Sequence, residues 1–262
     1  MYSGRRAGMA RKLLINADDF GFDHDTAAAT VALFEKGALT SATIMTGMPA
    51  SLHAMEYARE NGSRFSFGLH FNLVDAHAPM SSSTASLVDA DGLFRSSREQ
   101  RIRALFNLLD SRALADEFEC QLRALLDNGV RVTHIDSHGH LHKFPRVVRA
   151  IAPVMSKYGI KRIRLPQTLY FRRKMARSLI NRYCRSEFDG FETTDNLWAV
   201  DEHRAGWFER LLAALPDGVT ELAVHPGSIE PWRRIESAPL LDERFHALLK
   251  THATQLVDYR EI

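Results

Sequence analysis

Leu13-Leu14-Ile15-Asn16-Ala17-Asp18-Asp19-Phe20-Gly21 begins as a short apolar strand and ends in a pair of carboxylates. Helical periodicity follows at 26–36, a helix-ending Gly37, and a second short apolar run at 42–45. The unit then recurs. Strand-like runs stand at 65–69, 130–135, 162–165 and 221–224, alternating with helical segments at 49–60, 114–126, 145–158 and 203–215. Asn61-Gly62, Asn128-Gly129 and Tyr158-Gly159 supply the same helix-ending chemistry as Lys36-Gly37. Alternating strands and helices imply an α/β chain with a mostly parallel sheet, open or closed into a barrel, and outer helices.

The composition suits such a fold. Of 262 residues, 45% are hydrophobic and 34 Lys+Arg face 32 Asp+Glu, a formal charge of +2. Such numbers exclude a disordered chain and leave no polyelectrolyte attraction toward nucleic acid. One domain over 11–262 is expected, after a frayed extension at 1–10 in which Met9 is an alternative start. No apolar run reaches the length of a signal h-region or a membrane span, so the reading is cytoplasmic. Cys120 and Cys184 share no metal-spaced pair and read as ordinary thiols.

Two segments break the regular spacing. Residues 71–97 hold a polar SSST run and form either a surface excursion or a lid facing the substrate. The stretch 188–198 reads as a second insertion, after an Arg-rich helix at 172–185. That helix offers either a solvated face or an approach for an anionic or membrane-borne substrate.

In parallel α/β folds chemistry gathers at the carboxyl ends of strands. Here those ends carry Asp18-Asp19, His70, Asp136-Ser137-His138, Arg164 and His225, and four of the twelve histidines fall in 134–142. Adjacent strand carboxylates face opposite ways. One is then free to ligate a cation while the other acts as a base; alternatively the pair caps the next helix. His70, His138 and one Asp make a three-ligand set with open positions, suited to a divalent metal. His134 and His138 lie about 13 Å apart along a strand, too far for one ion, which leaves His134 either behind the ligands or in the core. His140 and His142 line the pocket or the substrate groove, or else lie at the surface or in packing; His225, held by the turn His225-Pro226-Gly227, is a proton donor or a turn histidine without a role.

Asn-Ala-Asp-Asp-Phe-Gly (16–21), Gly-Leu-His-Phe-Asn-Leu (68–73), Thr-His-Ile-Asp-Ser-His-x-His-x-His (133–142) and His-Pro-Gly (225–227) together resemble the YdjC family. That family includes the chitooligosaccharide deacetylases and the hopanoid-biosynthesis-associated deacetylases. The resemblance implies a deformed (β/α) barrel related to polysaccharide deacetylases, removing an N-acetyl group from an amino sugar with one divalent metal ion, Mg²⁺ or Zn²⁺. It assigns Asp19, His70 and His138 to the metal, Asp18 to the base and His225 to the acid. Arg164 looks like the base-orienting arginine of an Arg-x-Pro motif, and Asn72, Asp136, His140 and His142 are expected to touch substrate or support the ligands. Gly139 departs from members that carry a further histidine there, and 189–200 matches no motif. Two other functions stay open: a phosphoesterase with two or three metals, and a carbohydrate- or metal-binding module without turnover. A homodimer is the default assembly.

Overall fold

The computed structural model describes residues 10–75, 77–171 and 175–262. Residues 1–9 and the basic start of the Arg-rich segment, 172–174, lie outside the described residues, and with them the expected frayed extension.

The elements run β1 (Arg11–Phe20), α1 (His24–Glu35), β2 (Ser41–Ile44), α2 (Ser51–Asn61), β3 (Ser66–Phe71), α3 (Ser97–Leu105), α4 (Ser111–Asp127), β4 (Val132–Ser137), α5 (Pro145–Lys157), α6 (Met175–Cys184), β5 (Asn196–Ala199), α7 (Trp207–Ala214), β6 (Gly218–Val224), α8 (Pro231–Leu241), α9 (Phe245–Thr251) and β7 (Thr254–Leu256). Local chemistry sets several boundaries. Asp23 caps α1 through a capping box with Thr26, Asp110 caps α4 through the Ala113 amide, and Pro145 occupies the first turn of α5, where no amide donor is needed.

The strands pair in parallel in the order β4-β3-β2-β1-β6-β5, with β7 beside the first residues of β1. Ile135 bridges to Ile163 at one edge and Leu169 to Trp198 at the other, so residues 162–169 cross between β4 and β5. The sheet curls into a deformed barrel. The expected strand at 162–165 is thus a pair of isolated bridges, because the chain there spans two sheet edges and cannot run alongside either. Conversely, the expected insertion at 188–198 contains β5, which pairs with β6 in register.

Alternation divides the sheet into two unlike faces. Ile15, Ala17, Ala42, Ile44, Phe67, Leu69 and Ile135 join the hydrophobic core. On the other face Asn16, Asp18, Ser41, Thr43, His70, His134 and Asp136 are all buried and hydrogen-bonded in a continuous polar network. His134 stacks on Tyr259 with ring centroids 3.6 Å apart, the core position that was one of the two expected for it. Parts of the long connection after β3 are tied to the fold: Glu117 accepts the Met80 and Ser81 amides, and Gln100 donates to the Leu73 and Leu87 carbonyls. Both cysteines are free, and among the described residues no helix is long and apolar enough to cross a membrane.

Candidate active site

At the carboxyl ends of β1, β3, β4 and β6 opens a cavity of about 690 Å³ whose wall includes Asp18, Asp19, His70, His138, His140 and His225. The loop after β3 adds Asp75 and His77, so the excursion faces the cavity. Asp18 and Asp19 both line it, against the expected alternation. Asp19 has φ 61°, in the left-handed region, and the β1–β2 register shifts between Ala17 and Phe20, so the turn swings both carboxylates to the same side.

Their partners separate them. Asp19 Oδ1 lies 2.8 Å from His138 Nδ1 and 3.2 Å from His70 Nε2. Arg233, from α8, donates to Asp19 Oδ2 at 2.7 Å. Asp18 is clamped by Arg164, whose Nη1 and Nη2 reach its two oxygens at 2.7 and 2.6 Å. Arg164 also meets Asp136 Oδ2 at 2.6 Å and Glu221 Oε1 at 2.7 Å. Three buried carboxylates therefore share one guanidinium. Burial pushes the Glu221 carboxyl up to about 7, although Arg164 and the donating Tyr259 hydroxyl oppose it.

Asp19, His70 and His138 bring one donor atom each within 4.8 Å of one another, as do Asp18, His70 and Asp136. The first set fits a divalent cation better. His70 Nε2 is buried and makes no aligned hydrogen bond, only a 3.2 Å ion-pair approach to Asp19, which leaves it open to a better-placed partner. In the second set Arg164 already bridges the two carboxylates and supplies the positive charge. His70 is oriented from behind by Asp136, 2.7 Å from its Nδ1, the support a metal-ligating histidine commonly has. Burial disfavours charge on both histidines. Asp136 nevertheless outweighs it and holds His70 up at about 10, as Asp19 holds His138 up at about 9. Burial likewise opposes charge on Asp18, yet Arg164 keeps its carboxyl far below the usual range.

His225 stands just past β6, with Nε2 3.8 Å from Asp18 Oδ2 and Nδ1 3.1 Å from Glu236 Oε2. His140 lines the cavity on a left-handed turn with Gly139, whose φ is 65° and where a Cβ would meet Ser97 Oγ at 2.9 Å. Asn72 and His142 are outside the cavity wall. Asn72 accepts the Val74 amide, and the His142 ring pairs with the Ser137 hydroxyl beneath the strand end. Asp75, Glu221, Trp232, Arg233 and Glu236 were not singled out from sequence. The only local signal was the Arg233/Glu236 spacing of three on the helix after His-Pro-Gly.

The sequence model of the YdjC-like protein family matches residues 12–251. A Brevibacillus brevis protein named carbohydrate deacetylase is 33% identical over 153 residues, 57% of this chain and 57% of that protein. One of the same name from Halalkalibacterium halodurans is 31% identical over 57% of this chain and 62% of its own length. The chain thus spans less than two thirds of these two relatives. A Thermoanaerobacter pseudethanolicus carbohydrate deacetylase is 27% identical over 83% of this chain and 82% of its own. Among solved structures, an Enterococcus faecalis protein described as a cellobiose-phosphate cleavage protein superposes with a TM-score of 0.78 at 22% identity, covering 96% of this chain and 98% of that one. That likeness is one of fold.

Proposed function

The chain belongs to the YdjC-like family, and from that premise we propose that it is a carbohydrate deacetylase that hydrolyses the N-acetyl group of an amino sugar, using Asp18 as base and His225 as acid. The observation that carries the reading is the division of labour between adjacent carboxylates: Asp19 joins two histidines, while Asp18 is held ionised beside the cavity.

Asp19, His70 and His138 would hold one divalent cation, Mg²⁺ or Zn²⁺. Bound there, such an ion supplies Lewis acidity at the acetyl carbonyl and makes water a better nucleophile. The rest is work for this chain's side chains. Arg164 fixes the plane of Asp18, and its charge keeps the carboxylate ready to accept a proton from the attacking water. The new carbon–oxygen bond comes from that water; the carbon–nitrogen bond breaks as His225 gives its Nε2 proton to the departing amine. The 3.8 Å between Asp18 Oδ2 and His225 Nε2 is short enough for the captured proton to return to the imidazole through small side-chain movement, restoring both groups.

The single-ion set, with Arg164 filling the neighbouring carboxylates, favours this reading over a multi-metal phosphoesterase. The test is acetate release from N-acetylated sugars by metal-stripped protein, with each cation added back. Binding of the sugars without acetate release would leave only the binding-module reading. Release of phosphate from phosphorylated sugars with two or more ions per chain would favour the phosphoesterase.

A further inference from the structure

The acid histidine is held from behind by a residue of another element. Glu236, on α8, is 1% exposed. Its Oε2 accepts the His225 backbone amide at 2.7 Å and lies 3.1 Å from His225 Nδ1. Its Oε1 lies 2.7 Å from Nε2 of His203, a partly exposed residue before α7. A carboxylate only accepts hydrogen bonds, so both facing imidazole nitrogens carry protons. His225 is thereby set with Nδ1–H inward and Nε2 on the cavity side, toward Asp18. The Trp232 ring meets both imidazoles edge-on, at 5.3 Å from His225 and 5.8 Å from His203, and limits their rotation.

We propose that Glu236 is the positioning residue for the acid in this reaction: it holds the Nδ1–H of the His225 imidazolium and so aims its Nε2–H into the cavity, and His203 in turn holds Glu236. The proposal rests on the deacetylase reading for its kinetic consequence but not for its geometry. The His225 backbone amide would be served equally by a neutral side-chain carbonyl, but a carboxylate shared by two imidazoles, one in the cavity wall and one outside it, adds charge whose burial packing alone does not require. Opposed by burial, the two histidines still hold the Glu236 carboxyl below its ordinary range, which keeps it the acceptor.

The test compares wild type, Glu236→Gln, Glu236→Asp and His203→Phe at saturating metal. Acetate release from N,N′-diacetylchitobiose gives kcat and KM, and the imidazole N–H proton resonances are recorded on substrate-free protein. General acid contributions of ~10²–10⁴-fold set the scale. Glu236→Gln is expected to lower kcat about 100-fold or more, with KM within about threefold and metal content unchanged, and Glu236→Asp to recover about tenfold of that loss. Of the far-downfield imidazole protons of wild type, Glu236→Gln should lose two and His203→Phe one, while that of His70 against Asp136 stays in all. Glu236→Gln within about threefold of wild-type kcat, or a Glu236→Gln spectrum that keeps every downfield proton of wild type, overturns the proposal. Should Glu236→Gln fail to fold, Glu236→Asp and the His203→Phe spectrum decide. Should wild type release no acetate, the deacetylase reading fails while the spectra still judge the contact.

Discussion

Replacing Asp18 by Asn separates the base from the metal site, and its consequences follow from contacts of known length. The amide cannot take a proton from water, so turnover should fall by ~10²–10⁴-fold, about 2.7–5.4 kcal/mol of barrier. Stability should suffer less. Orphaning a buried charge costs about 3–5 kcal/mol, but Arg164 would keep Asp136 at 2.6 Å and Glu221 at 2.7 Å. A loss of about 1–3 kcal/mol is therefore expected from the broken half of the clamp. Asp19, His70 and His138 are untouched, so the metal count should stay at one per chain. The assay is acetate release from N,N′-diacetylchitobiose, with elemental analysis of the same sample and a urea midpoint. Activity within tenfold of wild type would remove Asp18 as base; loss of metal would move it into the ligand set with His70 and Asp136, the alternative group the geometry allows.

Asp19→Asn and His138→Ala should each lose metal and turnover together, read by elemental analysis beside acetate release. Metal binding should strengthen as pH rises. The metal-free histidines hold protons up to about 10 at His70 and about 9 at His138, and a cation must displace them, so calorimetry in buffers of different ionisation enthalpy should find up to two protons released per ion. Gly68→Ala would bring a Cβ to 2.5 Å from the His134 carbonyl oxygen. We expect a loss of about 1–3 kcal/mol in a urea melt, from overpacking beneath His70.

Strand ends carrying Asp and His were legible because strand alternation and turn residues act over a few positions. Thus β1, β3, β4 and β6 delivered Asp18, Asp19, His70, His138 and His225 to one cavity. What was not legible depends on closure. Arg162-Ile163-Arg164-Leu165 has strand character in sequence but bridges between sheet edges, while β5 is only four residues long and lacks a regular helix–strand approach. Nearness in sequence does not place a side chain in the cavity: Asn72 and His142 sit within the motifs, yet Asn72 accepts the Val74 amide and His142 pairs with the Ser137 hydroxyl. Arg233 and Glu236 reach the site from a helix, where a functional side chain leaves almost no local trace.

Asp18 and Asp19 depart furthest from ideal strand geometry, and that departure explains the site. Ideal strand geometry would have sent one carboxylate into the cavity and the other among the helices, where an ionised Asp19 would be stranded in apolar surroundings. The chain instead places Asp19 in the left-handed region at φ 61°, a conformation costing a non-glycine residue about 1–3 kcal/mol. Three contacts offset that strain: the Arg233 guanidinium at 2.7 Å, His138 at 2.8 Å and His70 at 3.2 Å. Asn tolerates the same backbone far better than Ala, which makes Asp19→Asn a test of charge and Asp19→Ala a test of charge plus strain. The Ala variant should melt at lower urea than the Asn variant, both being metal-free. Equal midpoints would mean that the turn is held by its neighbours and not by the residue at its apex.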